Sequence, residues 1–295
     1  MDEMERAYRL AAAAVRRRFA EQHPDYLDRL SRLSRSDIAV YSGAYDQVGR
    51  VLECLGLPAV TDPEPKNLPA RIAFVNCSGH YQKDIAGAAA AFVAGGGMLV
   101  SSDWGLDQVL EKAFPGVLAW NRRSTGTDVI SVEPYLDSVW SEVVVLGADP
   151  QWWLWGSHPI EVKDPERVRI EAASHDLLVQ HNAPVVAARF SWEQGEVFHV
   201  ISHFWARSSA TPTLRHRGPG VDFLRTGMRL SEDGIAAVLG ETKLAGDDVS
   251  FAVLQSAATA TELVAQCCVR AVPNTQEQRT DPGNTRCPPN TPNLC

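Results

Sequence analysis

Hydrophobic positions recur at helical spacing through residues 2–35. Leu10, Ala14 and Phe19 form one stripe, and Leu27, Leu30 and Leu33 a second, with His23-Pro24 between them. The pattern predicts an N-terminal helical arm over 1–36, separate from the rest of the chain. From Asp37 the rhythm changes to short apolar runs alternating with helical stretches. Ile38–Tyr41, Ala59–Thr61, Ile72–Val75 and Met98–Ser101 read as strands. Val48–Leu55, Ile85–Val93 and Leu106–Ala113 read as the helices between them. Strands that are apolar throughout, rather than alternating, imply a parallel sheet covered on both faces. The expected fold is therefore α/β: a three-layer α/β/α domain over 37–245 with a mainly parallel, flavodoxin-like sheet. Gly95-Gly96-Gly97 should end one helix, at least one glycine taking positive φ.

The second half is richer in strand patterns: Val129–Val132, Val143–Leu146, Pro159–Val162, Val168–Ile170, Pro184–Phe190 and Glu196–Ser202. Trp192–Gly195 reads as a hairpin turn between the last two. All eight tryptophans lie between Trp104 and Trp205, which suggests an aromatic cluster beside the sheet. Asp247–Ala265 reads as a closing helix within a C-terminal helical unit over 246–270. The Pro-, Asn- and Thr-rich stretch 271–295 reads as a disordered tail.

Charge narrows the partners. Lys plus Arg number 28 against 36 Asp plus Glu, a formal net charge of −8. An acidic chain of this kind is a poor match for a phosphate backbone, so no nucleic-acid partner is expected. Arg16-Arg17-Arg18 and the basic spot His216, Arg215, Arg217 and Arg225 both read as solvated surface. No apolar run approaches the ~20 residues of a membrane-spanning helix. The short run Leu10–Val15 precedes rather than follows its positive charges, unlike a signal peptide. The expectation is a cytoplasmic protein without a membrane partner. Cys54 and Cys77 stand singly, and Cys267, Cys268, Cys287 and Cys295 lack zinc-type pairing, so no metal centre and no cofactor are expected. Phosphate-loop, serine-elbow, zincin and EF-hand patterns are absent.

Ligands of an open parallel sheet bind at the carboxyl ends of its strands. That rule selects Tyr41–Tyr45, Asn76–His80, Ser102–Gly105 and Ser202–Trp205. The candidate chemistry is then Asp103, His203 and Cys77, with Ser42, Tyr45, His80, Ser102, Trp104 and Trp205 as ligand contacts. Residues 37–205 resemble the class I glutamine amidotransferase-like fold, and within it the trehalose-utilisation-type, ThuA-like branch. The resemblance rests on Ser42-Gly43 after the first strand, Cys77-Ser78-Gly79 after a later one, the connection Phe92–Val100, and Gly195–His203. It implies that Asp103 stands at the turn where amidotransferases carry a nucleophilic Cys. It also implies that His203 corresponds to the catalytic His, with Trp205 where the orienting acid would be.

With two of three triad members changed, the expected function is a non-catalytic module that binds a small polar ligand or a partner protein. A hydrolase in the same cleft is the alternative, either with Cys77 as nucleophile and His80 or His203 as base, or with Asp103 and His203 as an acid–base dyad. As a further alternative, Asp103 and His203 together with His80 offer donors for a divalent metal. Set against these chemistries, Asp103 reads as a helix cap and Cys77 as an inert buried thiol. A carboxylate beside His203 should raise the imidazole pKa. A third reading is an assembly subunit, homo-oligomeric through its N-terminal helix.

Overall fold

The computed structural model describes residues 2–68, 71–77, 79, 81, 84–135, 138, 151–205 and 214–273. The expected strand Val143–Leu146, His80, and the tail from Asn274 lie outside these residues. The chain is mixed α/β. Strands β1 (Ile38–Tyr41), β2 (Val60–Thr61), β3 (Ile72–Val75), β4 (Met98–Ser102) and β12 (Gly195–Val200) lie in the order β2-β1-β3-β4-β12, all parallel. This order is compatible with a flavodoxin-like fold. Every residue of β1, β3 and β4 is buried.

The sheet as a whole is mixed. Beyond β12 it continues antiparallel through β11 (Val185–Trp192), β10 (Val168–Ala173) and β7 (Glu133–Pro134). The pair Trp192 and Gly195 closes the β11–β12 hairpin, as the turn signal implied. Strands β5 (Leu118–Trp120) and β9 (Ile160–Val162) pair beside β11. A separate two-stranded sheet joins β6 (Thr127–Ser131) to β8 (Gln151–Trp155). Sequence reading passes over β8 and β5, although aromatic residues suit a strand.

The N-terminal segment is not a free arm. Helix α1 (Glu3–Gln22) is capped by Asp2, whose carboxylate accepts the Glu5 N–H at 2.7 Å. Pro24 then opens the short α2 (Pro24–Ser31), where its missing N–H costs nothing. The middle of α1 is apolar on every side: Leu10, Ala11, Ala12, Ala13, Ala14 and Val15 are all buried, as is Phe19. A helix of that kind belongs in an interior.

Helices α3 (Val48–Leu55) and α4 (Ile85–Ala94) join the parallel strands. After β4 the expected helix Leu106–Ala113 begins instead as a π-helical turn, Leu106–Leu110, before α5 (Glu111–Ala113). Helix α4 ends at the glycine run, and Gly96 takes φ +98°. A β-branched residue is strained in that region, so Gly96→Val should lower unfolding free energy by about 1 kcal/mol or more. Unchanged thermal melting of that variant would contradict the placement.

Four more helices complete the described chain: α6 (His175–His181), α7 (Gly220–Thr226), α8 (Glu232–Thr242) and α9 (Phe251–Arg270). Helix α1 packs chiefly against α9, with α3 and α8 alongside. Small side chains let the α1 and α9 backbones approach. The Arg16–Arg18 cluster is also not one solvated face. Arg16 pairs with Glu241 and Arg17 with Glu21 near the surface, but Arg18 is buried and forms an ion pair with buried Glu262 of α9. His216, expected in a solvated loop, is fully buried with its ring edge-on to Phe251. No helix among the described residues is long and apolar enough to cross a membrane.

Candidate functional site

The carboxyl ends of β3, β4 and β12 bring three of the expected residues together. Cys77 follows β3, Asp103 follows β4 and His203 follows β12. The His203 Nε2 lies 3.2 Å from Cys77 Sγ and 3.4 Å from Asp103 Oδ2. All three residues are buried.

Asp103 occupies the turn between β4 and the π-helical segment with φ +39°, a left-handed conformation unusual for a residue with a side chain. Its backbone N–H donates to Val200 O at 2.8 Å, tying the turn to β12. The expected cap is absent. Asp103 Oδ1 accepts the His158 N–H at 2.7 Å instead, and the helix start has no side-chain cap. Among the described residues, Asp103 Oδ2 and His203 Nδ1 have no hydrogen-bond partner.

Burial governs the electrostatics. It pushes the Asp103 carboxyl above the usual carboxylate range, against the lowering pull of His203 and of hydrogen bonds from Ser157 and His158. It pushes the Cys77 thiol far up, an effect that the Asp103 charge reinforces and the Trp104 N–H only partly opposes. His203 is the reverse of expectation. Its pKa is lowered, because desolvation outweighs the Asp103 carboxylate. The shift favours the neutral imidazole, opposite in direction to the one expected.

Beneath the cluster sits Asp46, one residue past the segment that the strand-end rule selects. Cys77 N–H donates to Ser102 Oγ at 3.0 Å, and Ser102 Oγ donates to Asp46. The other Asp46 oxygen accepts the Phe204 N–H at 3.0 Å. Asp46 thus links the loops after β1, β4 and β12. Burial raises its pKa to about 8, with the Asp103 charge also raising it and the Ser102 and Phe204 hydrogen bonds lowering it. The unfolded chain loses this proton near pH 4, whereas the native protein keeps it until about pH 8. Across that window the native state binds more protons, so this group removes stability as pH rises. Asp46→Asn should gain on the native protein between pH 5 and pH 8 in urea unfolding. An equal stability difference at both pH values would contradict it.

The remaining expected contacts divide. Ser42 is exposed and fixed by Asp62, its N–H donating at 2.8 Å and its hydroxyl at 2.9 Å. Tyr45 is exposed, edge-on to Trp104 and Trp155 with ring centroids 6.4 and 5.4 Å away. Trp104 donates its Nε1–H to Gly156 O at 2.8 Å and stacks on His158, whose other face stacks on Trp120. Ser102 and Trp205 are interior. Trp205 stacks on Tyr8 of α1 at 4.3 Å, donates its N–H to the Tyr8 hydroxyl at 2.8 Å, and carries the Arg50 guanidinium over its ring. Its surroundings make it a strut between α1 and the sheet edge.

A groove of about 590 Å³ opens at the ends of β1 and β3, lined by Ser42, Gly43, Asp46, Gln47, Arg50 and Asn76 among others. Asp46 and His158 are residues around the cluster that the sequence did not single out. The one signal for His158 is Pro159 after it, which holds the preceding backbone extended.

No protein-family model matches the chain, and no curated protein matches it by sequence. Among solved structures, a β-galactosidase from Rahnella sp. R3 aligns over 72% of this chain at 12% identity and a TM-score of 0.43. One from Bacillus circulans sp. alkalophilus aligns over 75% at 14% identity and 0.41. The chain spans about a third of those enzymes, 32% and 34% of their length. A ThuA-like protein from Bacteroides uniformis aligns over 58% of this chain and 84% of its own, at 12% identity and a TM-score of 0.40.

Proposed function

We propose that the chain is a three-layer, ThuA-like module with a degenerate triad, which binds a small polar ligand in the groove at the ends of β1 and β3 and does not hydrolyse glutamine. The observation that carries this reading is the state of the turn at Asp103. The carboxyl there is turned inward onto the His158 N–H, and the nearby thiol is buried, which pushes its pKa up. Thiolate attack on an amide needs the opposite: a low thiol pKa and a sulfur open to substrate. The groove, by contrast, offers hydroxyl, amide and guanidinium groups from Ser42, Gln47, Asn76 and Arg50. A few such groups in a concave site suit a small polar ligand.

Two assays test the reading. The full chain with glutamine should release no ammonia above buffer; release that disappears in Asp103→Ala would overturn it. A thermal-shift screen of sugars, polyols and amino acids should find a ligand whose affinity drops about tenfold in Gln47→Ala, the loss of one hydrogen bond. The absence of any stabilising compound would remove the ligand half of the proposal. The hydrolase alternative draws on the 3.2 Å approach of His203 Nε2 to Cys77 Sγ. Selective labelling of Cys77 by a thiol probe at neutral pH would favour it.

A further inference from the structure

We propose that Cys77, Asp103 and His203 form a binding site for a divalent transition metal, with zinc the best-matched ion. The inference goes beyond the ligand reading and does not depend on it, since a metal titration needs no knowledge of what fills the groove.

Size is the first argument. One donor atom from each of the three residues lies within 4.8 Å of the other two. Tetrahedral zinc, with bonds of about 2.0–2.3 Å, holds its ligand atoms roughly 3.3–3.6 Å apart. The observed separations are 3.4 Å from His203 Nε2 to Asp103 Oδ2 and 3.2 Å from Nε2 to Cys77 Sγ. Seating an ion therefore asks for small shifts on those two edges, and the third edge is no longer than 4.8 Å.

The second argument is an unanswered atom. Asp103 is fully buried, yet no well-aligned hydrogen bond from a described residue reaches its Oδ2, with His203 Nε2 standing 3.4 Å away. A buried carboxylate oxygen without a donor is costly. This oxygen is the one aimed at the cluster. A cation between the three donors would satisfy it.

The third argument is the support behind the ligands. Asp103 Oδ1 is pinned by the His158 N–H, and the Cys77 backbone is pinned by Ser102, which Asp46 holds in turn. Metal sites depend on this kind of outer layer to orient their donors.

Donor chemistry then selects the ion. Sulfur and imidazole nitrogen disfavour magnesium and calcium, which take oxygen ligands. One thiolate and one carboxylate neutralise a divalent charge, so the occupied site is neutral overall, as a buried site requires. On binding, the Cys77 S–H bond breaks, its proton leaves to solvent and the sulfur electron pair goes to the metal. Three protein donors leave one tetrahedral position for a water or a ligand atom.

The test uses the full chain with Cys287→Ser and Cys295→Ser, so that thiols of the tail do not compete. After chelator treatment and dialysis, Co²⁺ is titrated as a coloured stand-in for zinc. One equivalent should bind with a thiolate-to-cobalt charge-transfer band, zinc should displace it, and zinc should raise the melting temperature. Asp103→Asn, nearly the same shape, should weaken Co²⁺ at least tenfold, and Cys77→Ser should abolish the charge-transfer band. His203→Asn serves as the further variant if one of these melts below the assay temperature. No Co²⁺ uptake by the parent chain overturns the proposal whatever the variants do. So does a band that persists undiminished in a folded Cys77→Ser protein.

Discussion

Replacing Arg18 by Ala is expected to lower the unfolding free energy by about 3–5 kcal/mol, the usual cost of breaking a buried ion pair from one side. Arg18 and Glu262 are 2% and 1% exposed at the α1–α9 contact. Removing the guanidinium leaves a carboxylate inside the protein with its charge uncompensated. The carboxylate must then either stay charged in a poor solvent or take up a proton, and both cost stability. The same logic predicts recovery in a double variant. Arg18→Met with Glu262→Met removes both charges and keeps most of the volume, so it should regain most of the loss. Urea unfolding of the two variants is the measurement. A single-variant cost below about 1 kcal/mol, against the 3–5 expected of a buried pair, would show that the pair is solvated in practice.

Gly43→Ala should cost about 3 kcal/mol, the upper part of the range for overpacking. A Cβ at this position would lie 2.1 Å from the Cys77 carbonyl oxygen and 2.9 Å from Asn76 Cβ. The closest clash is with backbone, which cannot rotate away as a side-chain tip would. Nearby hydrogen bonds fasten the same two loops, from Tyr45 N–H to Cys77 O and from Asn76 N–H to Tyr41 O. Forcing them apart also moves Cys77 away from His203. The expected result is a lower melting temperature together with faster thiol labelling of Cys77. A normally stable protein with an unreactive Cys77 would contradict the close approach.

The parallel part of the fold was legible because β1, β3 and β4 are buried along their whole length, and strands of that kind leave an unbroken apolar run in the sequence. The turn at Gly96 was legible for a similar reason, since little besides glycine suits that backbone. The antiparallel extension was harder. Strand β8 was missed because it runs Gln151-Trp152-Trp153-Leu154-Trp155, where bulky aromatics mask the alternation that marks a half-covered strand. The assignment of α1 as an arm failed because periodicity marks an apolar face without naming what covers it. Its cover, α9, lies at the other end of the described chain. At the site, Cys77, Asp103 and His203 could be selected from strand ends alone. The direction of the His203 shift could not, because it depends on how completely water is excluded. Asp46 was invisible for the same reason: an Asp just past a strand end looks like any loop residue until three loops close over it.

The pairing of α1 with α9 has a consequence for how the protein is made. Helix α1 ends at Gln22 and its main cover begins at Phe251, so α1 leaves the ribosome long before the surface that buries it. At synthesis rates of about 5–20 residues per second, that wait is roughly 10–50 s. During it the run Ala11–Val15 has no permanent partner, and Tyr8 can begin to order Trp205 only after most of the sheet has appeared. Contacts this distant in sequence also slow the final folding step. Nascent chains stalled before residue 250 should therefore remain sensitive to proteolysis within α1, and chains extended past α9 should become resistant there. Resistance of α1 in the shorter chains would mean that the sheet and α3 suffice to hold it.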